Sequence, residues 1–173
     1  MAIEAKHEVL LASLGKFYDA DDNLAVLRDA LDGPHRMSLR VLDWLVTNYA
    51  KKRNIVYSTN MHGHEAAFNM FLEYKSQLKA YSKRLLDPFC RRERIVFRGL
   101  HTTVGQLNFF RWAMHSGVLE YARAHHDEIE RDMLSSIQHR YAREAGGPKR
   151  TELSRAAVKT CTTTKLTVKV KFA

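Results

Sequence analysis

The run Thr103-Val104-Gly105-Gln106-Leu107-Asn108-Phe109-Phe110-Arg111-Trp112-Ala113-Met114 decides how this chain folds. Thr103 with Gln106 three residues on has the spacing of a capping box. In that motif the hydroxyl and the side-chain amide satisfy the orphan amides of a first helical turn reciprocally. The positions that follow are too apolar to face water, since Leu107, Phe109, Phe110, Trp112, Ala113 and Met114 leave little polar surface. The run therefore predicts a core helix over 103–115, with Trp112 buried, ended by Ser116-Gly117.

Working downstream, Leu119, Ala122, Ile129, Met133, Leu134, Ile137 and Tyr141 predict one longer helix over 118–144. Gly146-Gly147-Pro148 reads as a hinge. Beyond it, Leu166, Val168, Val170 and Phe172 alternate with Thr167, Lys169 and Lys171, the period-two pattern of a strand with one apolar face. Upstream, Ile95-Val96-Phe97, closed by Gly99, reads as a strand near 95–98. Residues 67–72 read as a strand turning into a helix over 73–85, which ends before Asp87-Pro88 because the residue preceding proline disfavours the α region. Ile55-Val56-Tyr57 is a short strand and the polar stretch Ser58–His64 a loop. Ser38 caps a helix carrying Leu42, Leu45, Val46 and Tyr49, which ends at Lys51-Lys52-Arg53-Asn54, where cations suit the helix dipole. Asp21 or Asp22 caps a helix with Leu24, Leu27 and Leu31, stopped by Gly33-Pro34, and Ile3, Leu10, Leu11 and Leu14 mark the first helix. The fold class is α+β: a mainly helical single domain over 1–145 with a small sheet from strands near 55–57, 67–72, 95–98 and 166–172, and a basic extension over 146–173.

The 173 residues are 45% hydrophobic and 27% charged, a globular rather than a disordered composition. No apolar run approaches the roughly 18–20 residues of a membrane helix, and the start lacks a signal-peptide pattern. Cys90 and Cys161 cannot supply a disulfide framework or a zinc site by themselves.

The net charge of +9 is unevenly placed. Residues 75–98 hold eight basic groups against two acidic ones, and residues 140–173 hold nine against two. Such patterning points to a polyanionic partner, against the plainer reading of a solvated face. Lys75, Lys79 and Lys83 recur every four residues and form one stripe on a helix whose interior face carries Tyr74, Leu78, Tyr81 and Leu85. Arg84, Arg91, Arg92 and Arg94 extend it past the Pro88 turn, and Lys149, Arg150, Lys169 and Lys171 form a second contact. This density suits phosphate neutralisation by charge and shape, without a base-reading motif. Arginines equally suit an acidic protein neighbour.

Chemistry beyond charge is sparse. His62, His64, Cys90 and His101 are the set that resembles metal ligands, but the spacing is scattered and surface histidines are the simpler reading. His125-His126 reads as solvated. Cys90 beside Arg91 and Arg92 has the surroundings of a lowered-pKa thiol, while a buried thiol beside Phe89 explains it with less machinery. No Gly-rich phosphate loop, Gly-x-Ser-x-Gly or His-Glu-x-x-His occurs, so the expectation is a non-enzymatic protein without cofactor or metal.

Four stretches resemble a family of small basic proteins of nucleocytoplasmic large DNA viruses. They are Ser38-Leu39-Arg40-Val41-Leu42-Asp43-Trp44 with Thr47-Asn48-Tyr49, Tyr74–Lys83, Asp87-Pro88-Phe89-Cys90-Arg91-Arg92-Glu93-Arg94-Ile95, and Thr102–Trp112. The ending Glu152-Leu153-Ser154 with Val168-x-Val170-x-Phe172 matches too. Leu86 stands where an aromatic is more usual, and the linker at 146–148 is shorter than in relatives. The resemblance implies a viral gene product. The expected function is a virion-associated structural protein of minor capsid type, docking on nucleic acid or acidic capsid neighbours, with strand exchange through 166–172. The alternative is a nucleic-acid-binding accessory factor for genome replication, transcription or packaging, working in the infected-cell cytoplasm or nucleus.

Overall fold

The computed structural model describes residues 2–20, 22–32, 37–61, 64–91 and 93–146, so Lys149, Arg150, Lys169, Lys171 and the strand expected at 166–172 lie outside the described residues. Contacts divide the chain into residues 1–136 and 137–173. The architecture is the expected mainly helical α+β.

The helix α6 (Val104–His115) lies at the centre, with every residue from Val104 to Phe110 buried, and Trp112 and Ala113 as well. Thr103 caps it by accepting from the Gln106 amide at 3.1 Å. The reciprocal half of the box is not made. The Gln106 side chain instead accepts from Thr102 Oγ1 at 2.8 Å and donates to the Pro88 carbonyl at 2.8 Å. A capping residue has become a stitch between α6 and a loop.

The helix α1 (Ala2–Asp19) buries Leu10, Leu14 and Tyr18, and Tyr18 donates to the Leu107 carbonyl. The helix α2 (Asn23–Asp32) buries Leu27 and Ala30. The run 39–53 is broken in the middle: α3 (Leu39–Trp44) passes into a π-helical turn (Leu45–Tyr49) and then α4 (Ala50–Arg53). Thr47 Oγ1 donates to the Asp43 carbonyl at 2.6 Å, a back-bond that competes with the regular helical ladder at the point where it widens. Ser38 occupies the N-cap position but makes no side-chain cap bond. Asn54, left-handed at φ 46°, ends α4.

Where a loop was expected at 58–64, the chain forms a hairpin. Strand β1 (Val56–Met61) pairs antiparallel with β2 (His64–Asn69), Tyr57 opposite Phe68 and Met61 opposite His64. Two residues, His62 and Gly63, connect the strands, a length that favours hairpins despite the polar run Ser58–Asn60. The helix α5 (Met70–Tyr81) starts earlier than the predicted 73–85, because Asn69 accepts from the Leu72 amide at 3.1 Å and caps it. Strand β3 (Ile95–Phe97) pairs with β4 (Leu100–Thr102) through Arg98 and Gly99, both at positive φ as a tight hairpin turn requires. Among the described residues the strands thus make two separate two-stranded sheets rather than one.

The helix predicted over 118–144 is two: α7 (Val118–Ala124) and α8 (His126–Gly146), parted at His125. The His125 ring stacks on Tyr121 at 4.1 Å, with Nδ1 3.1 Å from the Tyr121 carbonyl. The His125 amide keeps its helical bond to the same carbonyl at 3.0 Å. Tyr74, Phe109, Phe68 and Trp112 close the core as an aromatic cluster, the Tyr74 and Trp112 centroids 5.5 Å apart. Trp112 Nε1 is buried there without a hydrogen-bond partner among the described residues.

Candidate polyanion-docking face

The basic residues of 75–94 fall on α5, on the turns after it and on the approach to β3. Lys75 and Lys79 are exposed on α5. Lys83 is exposed too, but it lies beyond the helix, which stops at Tyr81. Ser82 takes φ 60° and its amide bonds the Leu78 carbonyl at 2.9 Å. The expected three-lysine helical stripe is therefore a two-lysine stripe continued by a turn. On the inner face Tyr74 is buried, while Leu78, Tyr81 and Leu85 are half-buried.

The segment after Ser82 is fastened to the start of α6. Asn108 Nδ2 donates to the Leu85 carbonyl at 2.8 Å, Gln106 reaches Pro88, and the Asp87 amide donates to the Gly105 carbonyl at 3.2 Å. Gly105 permits this approach: a Cβ there would lie 2.9 Å from the Arg84 carbonyl oxygen. Lys83 and Arg84 project from this anchored segment into solvent.

Arg91 differs from its neighbours. Its Nε and Nη2 donate to Asp87 Oδ2 and Oδ1 at 3.2 and 3.0 Å, Asp87 Oδ1 also takes the Phe89 amide at 3.3 Å, and the guanidinium lies 4.2 Å over the Phe89 ring. The bond to buried Asp87 holds Arg91 above the ordinary arginine range. Arg94 is exposed, and Arg92 lies outside the described residues. Three cations elsewhere pair with carboxylates, Lys52 with Asp132, Arg98 with Asp19 and Arg123 with Asp29, whereas Lys16, Arg40, Lys51 and Arg53 are exposed and form no ion pair among the described residues. Asp132 sits below the ordinary carboxylate range: its burial acts upward, but hydrogen bonds from Lys52 and Trp44 outweigh it. Among the described residues, Lys75, Lys79, Lys83, Arg84 and Arg94 form no ion pair, although Lys83 lies within electrostatic reach of Asp43.

Beside Lys83 a cleft of about 310 Å³ opens, lined by Asp43, Tyr74, Lys83, Leu86, Asp87 and Arg91. Sequence reasoning missed it, although the Asp87–Arg91 spacing and Asp43 were both on view. Asp43 is half-buried and its carboxyl is raised above the usual range, chiefly by burial, with Asp87 adding to the rise and Arg91 and Lys83 opposing it.

The remaining candidates do not converge. Cys90 is half-buried, His101 exposed, and His125 and His126 half-buried. His62 lies outside the described residues, as does the side chain of His64. Among the described residues no group of three His, Cys, Asp or Glu side chains could hold a metal, and no helix is long and apolar enough to cross a membrane.

Comparison with known proteins fixes the lineage. An uncharacterized protein, L507, of Acanthamoeba polyphaga mimivirus is 36% identical over a stretch covering 71% of this chain and 52% of the relative. The chain thus spans about half the length of the curated relative it matches, and the likeness supports the viral origin expected from the sequence. No solved structure matches. Residues 3–145 match a family of unknown function, DUF7197, and that stretch is most of the chain. The chain belongs to the DUF7197 family.

Proposed function

We propose that this chain is a non-enzymatic, virion-associated docking protein of minor capsid type, whose basic face engages nucleic acid or an acidic neighbour in the particle. One observation carries the reading: Lys75, Lys79, Lys83, Arg84 and Arg94 are exposed and form no ion pair among the described residues, while Arg91, Arg98, Arg123 and Lys52 are paired with carboxylates. Unengaged cations gathered around one helix and its following turn are what displaces counterions from a phosphate backbone.

Two measurements test it. In a salt titration against mixed-sequence double-stranded DNA, about five phosphate contacts give a slope of log affinity on log salt near −4 to −5. Flat or absent binding excludes the nucleic-acid half and leaves an acidic protein neighbour. Quantitative mass spectrometry of purified particles should find the chain at stoichiometric amounts, and its absence would overturn the virion assignment.

The second reading is an accessory factor acting on nucleic acid in the infected cell. The polar cleft beside Lys83 favours it, because a purely structural cation surface has no use for a half-buried carboxylate in its midst.

A further inference from the structure

The cleft under Lys83 holds polar groups that the fold does not use. The Tyr74 ring is 3% exposed, and its hydroxyl makes no hydrogen bond among the described residues but is not itself sealed from solvent. Tyr74 lines the cleft together with Asp43, Asp87 and Arg91. The Asp43 carboxylate likewise makes no hydrogen bond or ion pair among the described residues, whereas Asp87 is occupied by Arg91 and the Phe89 amide. Sealed polar groups in native folds are nearly always bonded; the Tyr74 hydroxyl and the half-buried Asp43 carboxylate stay unbonded because they open on the cleft, where a ligand can reach them. Lys83 and the second terminal nitrogen of Arg91, Nη1, also make no hydrogen bond among the described residues, so the wall carries two acceptor oxygens, a hydroxyl and two cations. The volume lies at the small end of the roughly 300–1,000 Å³ range of ligand sites.

The complement of such a wall is a molecule with adjacent N–H donors at one end, an acceptor beside them, and an anion at the other. A carboxylate can accept two parallel N–H bonds at once. Among nucleobases guanine alone presents two neighbouring donors on one edge, N1–H and the N2 amino group, with the O6 acceptor adjoining. Adenine and cytosine offer a single amino group beside an acceptor, and uracil a single N–H between two carbonyls. We propose that this cleft is a guanine-nucleotide site, in which Asp43 accepts from N1–H and N2–H, Tyr74 donates to O6, and Lys83 with Arg91 meets the phosphate. The proposal deepens the nucleic-acid reading and rests on it only through those last two cations.

The test is titration calorimetry of the full chain with 5′-GMP, AMP, CMP and UMP at one ionic strength. Trp112 fluorescence gives a second readout, since its ring lies 5.5 Å from that of Tyr74. GMP is expected to bind about tenfold or more tighter than the other three, the scale of one bidentate base contact. Asp43→Asn should erase that preference, and Tyr74→Phe should weaken GMP several-fold while keeping the ring in the core. The double variant Lys75→Glu/Lys79→Glu should leave GMP binding unchanged and weaken DNA. Equal affinity for the four nucleotides, or GMP binding unaltered in both the Asp43→Asn and Tyr74→Phe chains, overturns the site. Absent GMP binding alongside salt-dependent DNA binding also overturns it and leaves the docking reading standing. Guanine-selective binding without any DNA binding supports the site and removes nucleic acid as the docking partner.

Discussion

The hydroxyl of Tyr18 donates a 2.7 Å hydrogen bond to the backbone carbonyl of Leu107, joining α1 to the core helix across 89 positions of sequence. The Leu107 carbonyl lies inside α6 and retains its helical partner when the phenol is removed. Tyr18→Phe should therefore cost only about 0.5–1.5 kcal/mol. Tyr18→Ala, which empties a fully buried site, should cost about 3–5 kcal/mol. Chemical denaturation separates the two, and equal losses would mean that the ring contributes nothing to packing.

Alkaline stability follows from three phenols. Tyr18, Tyr57 and Tyr74 are all pushed well above the ordinary tyrosine range, in each case chiefly by burial. The fold thus favours their neutral forms, and in the unfolded chain they ionise near pH 10. Their contribution is complete below that value and is lost as pH rises beyond it, because the unfolded state then releases protons that the native state keeps. The melting temperature should hold from pH 8 to about 10 and fall above it. The triple Tyr→Phe variant should fall less steeply; an identical decline would show that other groups govern it.

Asp43 carries the opposite sign from a salt-bridged aspartate. Its raised carboxyl favours the protonated form in the fold, so its contribution is present below the unfolded value near 3.9 and disappears as pH rises through the higher folded one. At neutral pH the charged group burdens the fold. Asp43→Asn should raise the melting temperature at pH 7 and change it little at pH 3. A lower melting temperature at pH 7 would mean that the carboxylate is stabilised by contacts beyond those described.

Gly105 tests the seam between α6 and the basic turn. Alanine is the better helix former by about 1 kcal/mol. Its methyl, however, would meet the Arg84 carbonyl oxygen at 2.9 Å, a backbone atom that cannot swing aside. Gly105→Ala should destabilise by about 1–3 kcal/mol and speed hydrogen exchange at the Asp87 amide, which bonds Gly105. Net stabilisation would show that the two segments are not held this closely.

Reversing Lys75, Lys79 and Lys83 to Glu should abolish DNA binding at about 150 mM salt and leave the fold intact, since all three are exposed, with only a small fall in melting temperature from Lys83, which shares a cleft with Asp43 and Asp87. A misfolded triple variant would place one of these side chains in the interior.

The sequence announced its helices where apolar spacing was strong and misjudged the places where a single side chain redirects the backbone. The core run 103–115 was legible because its hydrophobic residues admit no solvent face, and Trp112 is buried as that density requires. The start of α5 was not: Phe68, Met70 and Leu72 alternate like a strand, and only the Asn69 cap decides for helix at Met70. The break at His125 is a local backbone change that apolar spacing does not signal, and the hairpin at 56–69 depends on a two-residue connection in a polar run. Of the docking face, the charges were legible and their engagement was not, since which arginine finds a carboxylate depends on tertiary neighbours. Asp43 and Tyr74 looked like ordinary helix residues, because a cleft is formed by segments distant in sequence.

The fastening of residues 85–88 onto α6 bears on the thermodynamics of encounter. Lys83 and Arg84 hang from a backbone beside one already fixed by Asn108, Gln106 and Gly105. Conformational freedom that a floppy basic tail surrenders on meeting its partner has here been surrendered during folding. Association should then proceed as near rigid-body docking, with a small entropic penalty and with charge on the partner setting its speed more than chain rearrangement does.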